Sequence, residues 1–115
     1  MARTTWNKYH AKKVSKDGRT FDSKHEAGRY TELKLLQRAG KITDLRCQVS
    51  FLLIPAQYDE NHRCIERSCK YVADFTYRDE NGTFIVEDAK GLKTDVYRIK
   101  KKLMLEKYGI KIREV

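Results

Sequence analysis

Residues 85–91, Ile-Val-Glu-Asp-Ala-Lys-Gly, place two acids and a lysine in a segment that otherwise has the character of a buried strand. Charge at such a position is costly unless it is paired or has a chemical role. The segment follows Arg-Asp-Glu-Asn-Gly-Thr at 78–83, a sequence typical of a hairpin turn, and a strand-like run at 71–77. We therefore predict two antiparallel strands, 71–77 and 84–89.

The length of the hairpin loop decides which acids meet. A three-residue loop, 80–82, pairs residue 79 with residue 83 and places Asp74 opposite Asp88, with Lys90 pointing to the same face. A two-residue loop would shift the register by one and direct Glu87 toward Asp74 instead. We prefer Asp88, because only it shares a face with Lys90, and we expect Glu87 to be a surface acid or a neighbour of the cleft.

Two carboxylates at cross-strand distance repel each other unless a cation lies between them. Hard oxygen ligands of this kind suit Mg²⁺ or Mn²⁺. Lys90 cannot bind a metal, but its ammonium group can position or deprotonate a water molecule. The competing interpretation is a solvated hairpin face on which Asp74, Asp88 and Lys90 form ordinary ion pairs.

The remaining segments predict an α/β (α+β) fold in the order helix, three strands, helix, strand. Ser23 is a good N-cap for a helix that ends near Ala39-Gly40, and Gly109 is a good C-cap for a helix over 95–108. We expect residues 48–54 and 110–115 to be strands, with Gln48 marking a strand entrance. In the second helix Val96, Ile99 and Leu103 form the apolar stripe, and Tyr97 lies in the core or at its rim.

The formal charge of +9 on 115 residues predicts an anionic partner, most commonly nucleic acid. We expect a single domain over 1–115, with 1–21 a basic arm that ends in a tight turn at Asp17-Gly18. A lysine run on a helix is usually a solvated face, but this run would lie beside the cleft. The candidate DNA-binding residues are Lys8, Lys12, Lys93, Arg98, Lys100 and Lys101.

The start of the chain lacks the apolar stretch of a signal peptide and no transmembrane run is present, so we expect a cytoplasmic protein without a membrane partner. Three cysteines at unlike spacings argue against a disulfide framework. His62, Cys64, Cys69 and Cys47 could supply zinc ligands, but no Cys-x-x-Cys pair anchors such a site. Ordinary buried or half-buried cysteines are the preferred interpretation.

Asp74, the hairpin, and Asp88-Ala89-Lys90 together resemble the D…(D/E)-x-K signature of the PD-(D/E)XK nuclease superfamily. Ala73 stands where a proline is frequent, and Asp88 where Glu is more common. The resemblance implies a restriction-endonuclease-like core with a mixed central sheet. It also implies that Glu26, on the first helix, is a third metal ligand, although a capping box alone explains an acid there. The backbone carbonyl of Ala89 is a further expected ligand.

The whole pattern is also similar to small phage-encoded proteins catalogued as a domain of unknown function. The resemblance implies a Mg²⁺- or Mn²⁺-dependent endodeoxyribonuclease of the Holliday-junction-resolvase type, acting in a phage-infected or lysogenic bacterium. A junction has two-fold symmetry, so the enzyme would be a homodimer. Nicking or duplex cleavage on the same fold, a non-catalytic DNA-binding module and a protein-interaction domain are the alternatives.

Overall fold

The computed structural model describes residues 14–16, 18–21, 23–89 and 93–115; Lys8, Lys12 and Lys90 lie outside them. These residues include two helices, α1 at Lys24–Arg38 and α2 at Asp95–Tyr108. The longer strands are β3 at Thr43–Ile54, β6 at Cys69–Arg78 and β7 at Phe84–Asp88. The short strands are β1 at Val14–Lys16, β2 at Arg19–Phe21, β4 at Gln57–Tyr58, β5 at Cys64–Glu66 and β8 at Arg113–Glu114.

The central sheet has four strands in the order β3-β6-β7-β8. β3, β6 and β7 are antiparallel neighbours, whereas β8 is parallel to β7, because the chain crosses over through α2 before it returns. The prediction of a mixed α/β fold with a mixed sheet is therefore confirmed. The order helix, three strands, helix, strand also holds for the elements that form or cover this sheet.

Several predicted boundaries differ from those observed. The first long strand begins at residue 43, not 48, and the last has two residues instead of six. Residues 14–16 and 18–21 of the predicted arm belong to the hairpin β1–β2, in which Gly18 has a φ of 74°. The polar stretch after Pro55 contains a second hairpin, β4–β5, whose short irregular strands carry no periodicity that a sequence pattern could reveal. Cys64 in this hairpin is exposed, contrary to expectation, while Cys47 and Cys69 are half-buried.

Each face of the sheet is covered by one helix. On the first face Ala27, Tyr30 and Leu33 of α1 pack against Phe75 and Tyr77 of β6. On the second face the buried cluster includes Tyr97 and Met104 of α2, together with Leu53, Tyr71, Ala73, Val86 and Ile112. Ser23 caps α1 by accepting a hydrogen bond from the Glu26 N–H, and Gly109 ends α2 in the left-handed conformation, as both caps predict.

The predicted apolar stripe of α2 holds at Leu103, which packs against the buried cluster, and is wrong at Val96 and Ile99. Val96 and Ile99, expected in the core, are 61% and 58% exposed, whereas Tyr97 and Met104 are buried. The helix is rotated by about one residue, or about 100°, from the predicted stripe. The anchor is Tyr97: its ring packs against that of Tyr71, with centroids 6.5 Å apart, and its hydroxyl donates to Glu114 at 2.7 Å. The alternative that Tyr97 belongs to the core is confirmed.

A buried ion pair joins α1 to the centre of the sheet. Arg29 donates two hydrogen bonds to Glu87, Nε to Oε1 at 2.8 Å and Nη2 to Oε2 at 2.6 Å. Tyr77 donates its hydroxyl to the same carboxylate, and Arg113 donates to the Tyr77 oxygen at 3.1 Å. Glu87 is 0% exposed, so the expectation that it is a surface acid is wrong. The hydrogen bond to Glu87 raises the pKa of Arg29 above its ordinary value, so the guanidinium stays protonated.

Across the part of the chain that the structure describes, neither helix has the length and apolar character needed to cross a membrane.

Replacing Arg29 with Met should lower the free energy of unfolding by about 3 kcal/mol, because it leaves Glu87 as an uncompensated buried charge. The matched control is Arg98→Met, which removes a helical arginine paired with the exposed Asp95 and should cost less than about 1 kcal/mol. Urea denaturation of the three proteins measures the difference. Equal losses in the two variants would contradict the structural role of the buried pair.

Candidate functional site

The hairpin between β6 and β7 has the predicted three-residue loop. The Asp79 N–H donates to the Thr83 carbonyl at 3.0 Å, and Gly82 has the left-handed φ of 79° that this loop requires. Phe75 pairs with Glu87 in the resulting register, which places Asp74 beside Asp88. The predicted register is confirmed, and the two-residue loop that would direct Glu87 at Asp74 does not form.

Three predicted site carboxylates, from three different elements, are buried. Glu26 of α1 is 4% exposed, Asp74 of β6 is 6% exposed and Asp88 of β7 is 1% exposed. These values exclude a solvated hairpin face for Asp74 and Asp88. Burying acids is costly, so their burial is maintained by specific partners and not by chance packing.

At Asp74, the alternation of side chains between the two faces of the sheet is interrupted. In β6, Tyr71 and Ala73 pack with α2, whereas Phe75 and Tyr77 pack with α1, although regular alternation would keep all four on one face. β3 changes face at the same level, where Gln48 lies opposite Asp74 in a left-handed conformation with φ of 54°. Gln48 is therefore inside a strand, and its predicted place at a strand entrance is wrong.

Gln48, the left-handed residue of β3, forms a hydrogen bond with the first helix. Gln48 donates its side-chain amide to Glu26 Oε2 at 2.8 Å, which connects the α1 carboxylate to the strand next to Asp74. Asp74 Oδ2 accepts the backbone N–H of Ala89 at 2.7 Å. Ala89, the residue between the two motif positions, is thus held against Asp74 through its backbone.

Tyr71 holds the third carboxylate. Its hydroxyl donates to Asp88 Oδ2 at 2.7 Å, and the tyrosine ring is buried on the α2 side of the sheet. Burial raises the pKa of Tyr71 far above its ordinary value, and the hydrogen bond to Asp88 adds to the shift. The phenol therefore stays protonated and acts as a donor to Asp88.

The chemistry of Glu26, Asp74 and Asp88 fits a hard divalent cation, because all three offer carboxylate oxygens and the cation would offset their mutual repulsion. Their oxygens engage Gln48, Ala89 and Tyr71 in this structure. Within the described ranges no three histidine, cysteine or acidic side chains are grouped closely enough to hold a metal ion. Lys90 lies outside the described residues, and its role stays a prediction.

The predicted DNA-binding residues in and just before the second helix differ in their surroundings. Lys93 and Lys101 both contact Glu114 of β8, at 3.1 and 3.3 Å, and Arg98 pairs with Asp95 at 3.1 Å. Lys100 is half-buried and lines a pocket beside Tyr71. Lys8 and Lys12 lie outside the described residues.

Two site residues, Gln48 and Tyr71, were not predicted. No sequence pattern distinguishes Gln48 from any polar residue ahead of an apolar run, because its role depends on a left-handed backbone in mid-strand. Tyr71 is three positions from Asp74, so regular alternation places it on the opposite face. Only the change of face at Asp74 brings the Tyr71 hydroxyl to Asp88.

Replacing Tyr71 with Phe should lower the free energy of unfolding by about 1–2 kcal/mol, because Asp88 loses a donor in a buried site. The control is Tyr58→Phe, at an exposed tyrosine of β4 whose hydroxyl should contribute little. Chemical denaturation at neutral pH compares the two variants. A Tyr71→Phe protein as stable as the control would contradict the importance of this hydrogen bond.

The hydrogen bond from Tyr97 and the contacts with Lys93 and Lys101 lower the pKa of Glu114 to about 2. A carboxyl whose pKa is depressed on folding contributes stability above its unfolded pKa and loses it as the pH falls. The stability difference between the wild type and Glu114→Gln should therefore be largest above about pH 5 and should shrink toward pH 2. Denaturation at a series of pH values measures it. Glu106→Gln, at an exposed position of α2, is the control, and a pH-independent effect of Glu114→Gln would contradict the ion-pair account.

Comparison with known proteins gives one match. No curated protein and no solved structure matches the chain. One family model, described as a protein of unknown function (DUF1064), matches residues 6–114. Because this match extends over nearly the whole sequence, the chain belongs to the DUF1064 family of proteins of unknown function.

Proposed function

We propose that this protein is a divalent-metal-dependent endonuclease that hydrolyses DNA phosphodiesters. The observation that carries the proposal is the burial of Asp74 and Asp88 side by side on β6 and β7, with Glu26 of α1, also buried, linked to the neighbouring strand through Gln48. Buried acids that adjoin one another across strands are a costly arrangement, and metal-assisted phosphodiester hydrolysis is a chemistry that uses it. The charge of +9 supports an anionic substrate.

We further propose that the α/β fold is a restriction-endonuclease-like core of the PD-(D/E)XK type. The support is the element order and the mixed sheet, together with the resemblance of Asp74 and Asp88-Ala89-Lys90 to that signature.

Each site residue has a role in this proposal. Asp74, Asp88 and Glu26 would hold one or two Mg²⁺ or Mn²⁺ ions, with the carbonyl of Ala89 as a further ligand. The ion would supply Lewis-acid stabilisation of charge on the reacting phosphate. Lys90 would orient or deprotonate the attacking water. No covalent intermediate with the protein is required, because water attacks the phosphorus directly.

Branched DNA is the proposed substrate, and Holliday-junction resolution the proposed activity. The junction has two-fold symmetry, so two copies of the chain would act together as a homodimer. The proposed setting is the cytoplasm of a phage-infected or lysogenic bacterium. Nicking or duplex cleavage by the same site is the alternative within this class.

A cleavage assay tests the proposal. A labelled four-way junction is incubated beside duplex, nicked and single-stranded DNA of the same sequence, with Mg²⁺, Mn²⁺ or EDTA. The wild type should make symmetric, metal-dependent cuts in the junction. Lys90→Ala should lower the rate by about 10²-fold or more, as expected when a group that transfers or positions a proton is removed.

Asp88→Asn tests whether the Asp88 carboxylate is needed for cleavage, and Asp44→Asn is its matched control. Asp44 is exposed, and its left-handed φ of 56° is one that Asn tolerates, so this variant should retain wild-type activity. If the wild type cleaves every substrate, the nuclease proposal stands and the proposed specificity for junctions is wrong. Tight, salt-sensitive binding without cleavage under any metal would overturn the enzyme and leave a non-catalytic DNA-binding module. Absence of DNA binding would favour a protein-interaction domain.

A further inference from the structure

A small pocket of about 220 Å³ lies between β6 and the first turns of α2. Its walls combine aromatic, apolar, hydroxyl and cationic groups, contributed by Tyr71, Val72, Thr94, Val96, Tyr97 and Lys100. The volume is below the roughly 300–1,000 Å³ typical of sites for free small molecules. A pocket of this size suits one segment of a longer ligand better than a complete small molecule.

The pocket adjoins the candidate active site through Tyr71. The Tyr71 side chain lines the pocket, and its hydroxyl donates to Asp88 at 2.7 Å. A ligand segment in the pocket would therefore lie one side chain away from a proposed catalytic carboxylate.

The charge of the pocket comes from Lys100. Three nearby basic residues are already engaged with acids of the same chain: Lys93 and Lys101 with Glu114, and Arg98 with Asp95. Among the residues that the structure describes, Lys100 forms no ion pair of this kind. An ammonium group at the rim of a concave site, without an intramolecular acid, is suited to an anion such as a phosphodiester.

The apolar walls fit the rest of a nucleotide. Val72 and Val96 are exposed, although they line a concave surface. The Thr94 hydroxyl already accepts the Tyr97 N–H at 3.1 Å and retains its own proton to donate. Apolar contact with a sugar and a single hydroxyl donor would complement a phosphate held by Lys100.

We infer that this pocket is a subsite for the nucleotide next to the scissile phosphate, with Lys100 pairing with that nucleotide's phosphodiester and Val72 and Val96 contacting its sugar. The inference rests on the proposed endonuclease function and adds to it the place where the neighbouring part of the strand binds.

The experiment combines Lys100→Gln with DNA in which one phosphate at a time is replaced by a neutral methylphosphonate. Binding is measured by fluorescence anisotropy in EDTA over a range of salt concentrations, and the cut position is mapped separately with Mg²⁺. The matched control is Lys34→Gln, which removes a half-buried lysine from α1 on the opposite face of the sheet.

Lys100→Gln should weaken binding and reduce the salt slope of the binding constant by about one, whereas Lys34→Gln should leave the slope unchanged. Neutralising the phosphate next to the cut should weaken the wild type and have no further effect on Lys100→Gln, because the paired charge is already gone. Circular dichroism establishes that both variants are folded.

The outcomes separate this inference from the proposed function. Wild-type cleavage combined with identical behaviour of Lys100→Gln and Lys34→Gln would overturn the subsite and leave the nuclease intact. The wild type could also bind DNA without ever cutting it, which would overturn the nuclease proposal. In that case, a methylphosphonate position that weakens the wild type but not Lys100→Gln would still support the contact between Lys100 and a phosphate. Wild-type protein that does not bind DNA would overturn both.

Discussion

The ion pair between Arg29 and Glu87 is the interaction on which the geometry of the molecule depends. It connects α1 to β7, the strand that carries Asp88, and Glu87 directly precedes that acid. Arg29 is one helical turn after Glu26. A single bidentate contact therefore fixes the relative positions of two carboxylates that are 62 residues apart in the sequence. An apolar pair could provide similar stability, but it would not impose the same fixed orientation.

The second constraint is the kink of the sheet at Gln48 and Asp74. A regular strand presents one set of side chains to one helix along its whole length. Here both β3 and β6 change face at the same level, and each helix finds its own apolar partners on a different half of the strands. Asp74 lies where β6 passes from the residues that pack with α2 to those that pack with α1. The backbone irregularity and the polar site are thus two aspects of one feature.

Local signals in the sequence were sufficient for part of this architecture. The Ser23 cap, the Gly109 cap and the turn at Gly82 each depend on a single residue whose backbone requirement is well defined, and the turn alone determines that Asp74 adjoins Asp88. The same locality explains the errors. Rotation of α2 depends on Tyr97 meeting Tyr71 and Glu114, both distant in the sequence, and the spacing of Val96 and Ile99 carries no information about them. Burial of Glu87 likewise depends on an arginine 58 positions earlier.

The irregular backbone of β3 also affects how the protein meets other chains. β3 is an edge strand of 12 residues in the four-stranded sheet, the kind of edge at which molecules can join by strand pairing and aggregate. Left-handed residues at Asp44 and Gln48 interrupt its ladder, and the Tyr108 hydroxyl occupies the carbonyl of Leu52 at 2.6 Å. These features obstruct extension of the sheet by an incoming strand. A dimer of this protein would therefore have to form through side chains elsewhere on the surface and not through pairing of β3 edges.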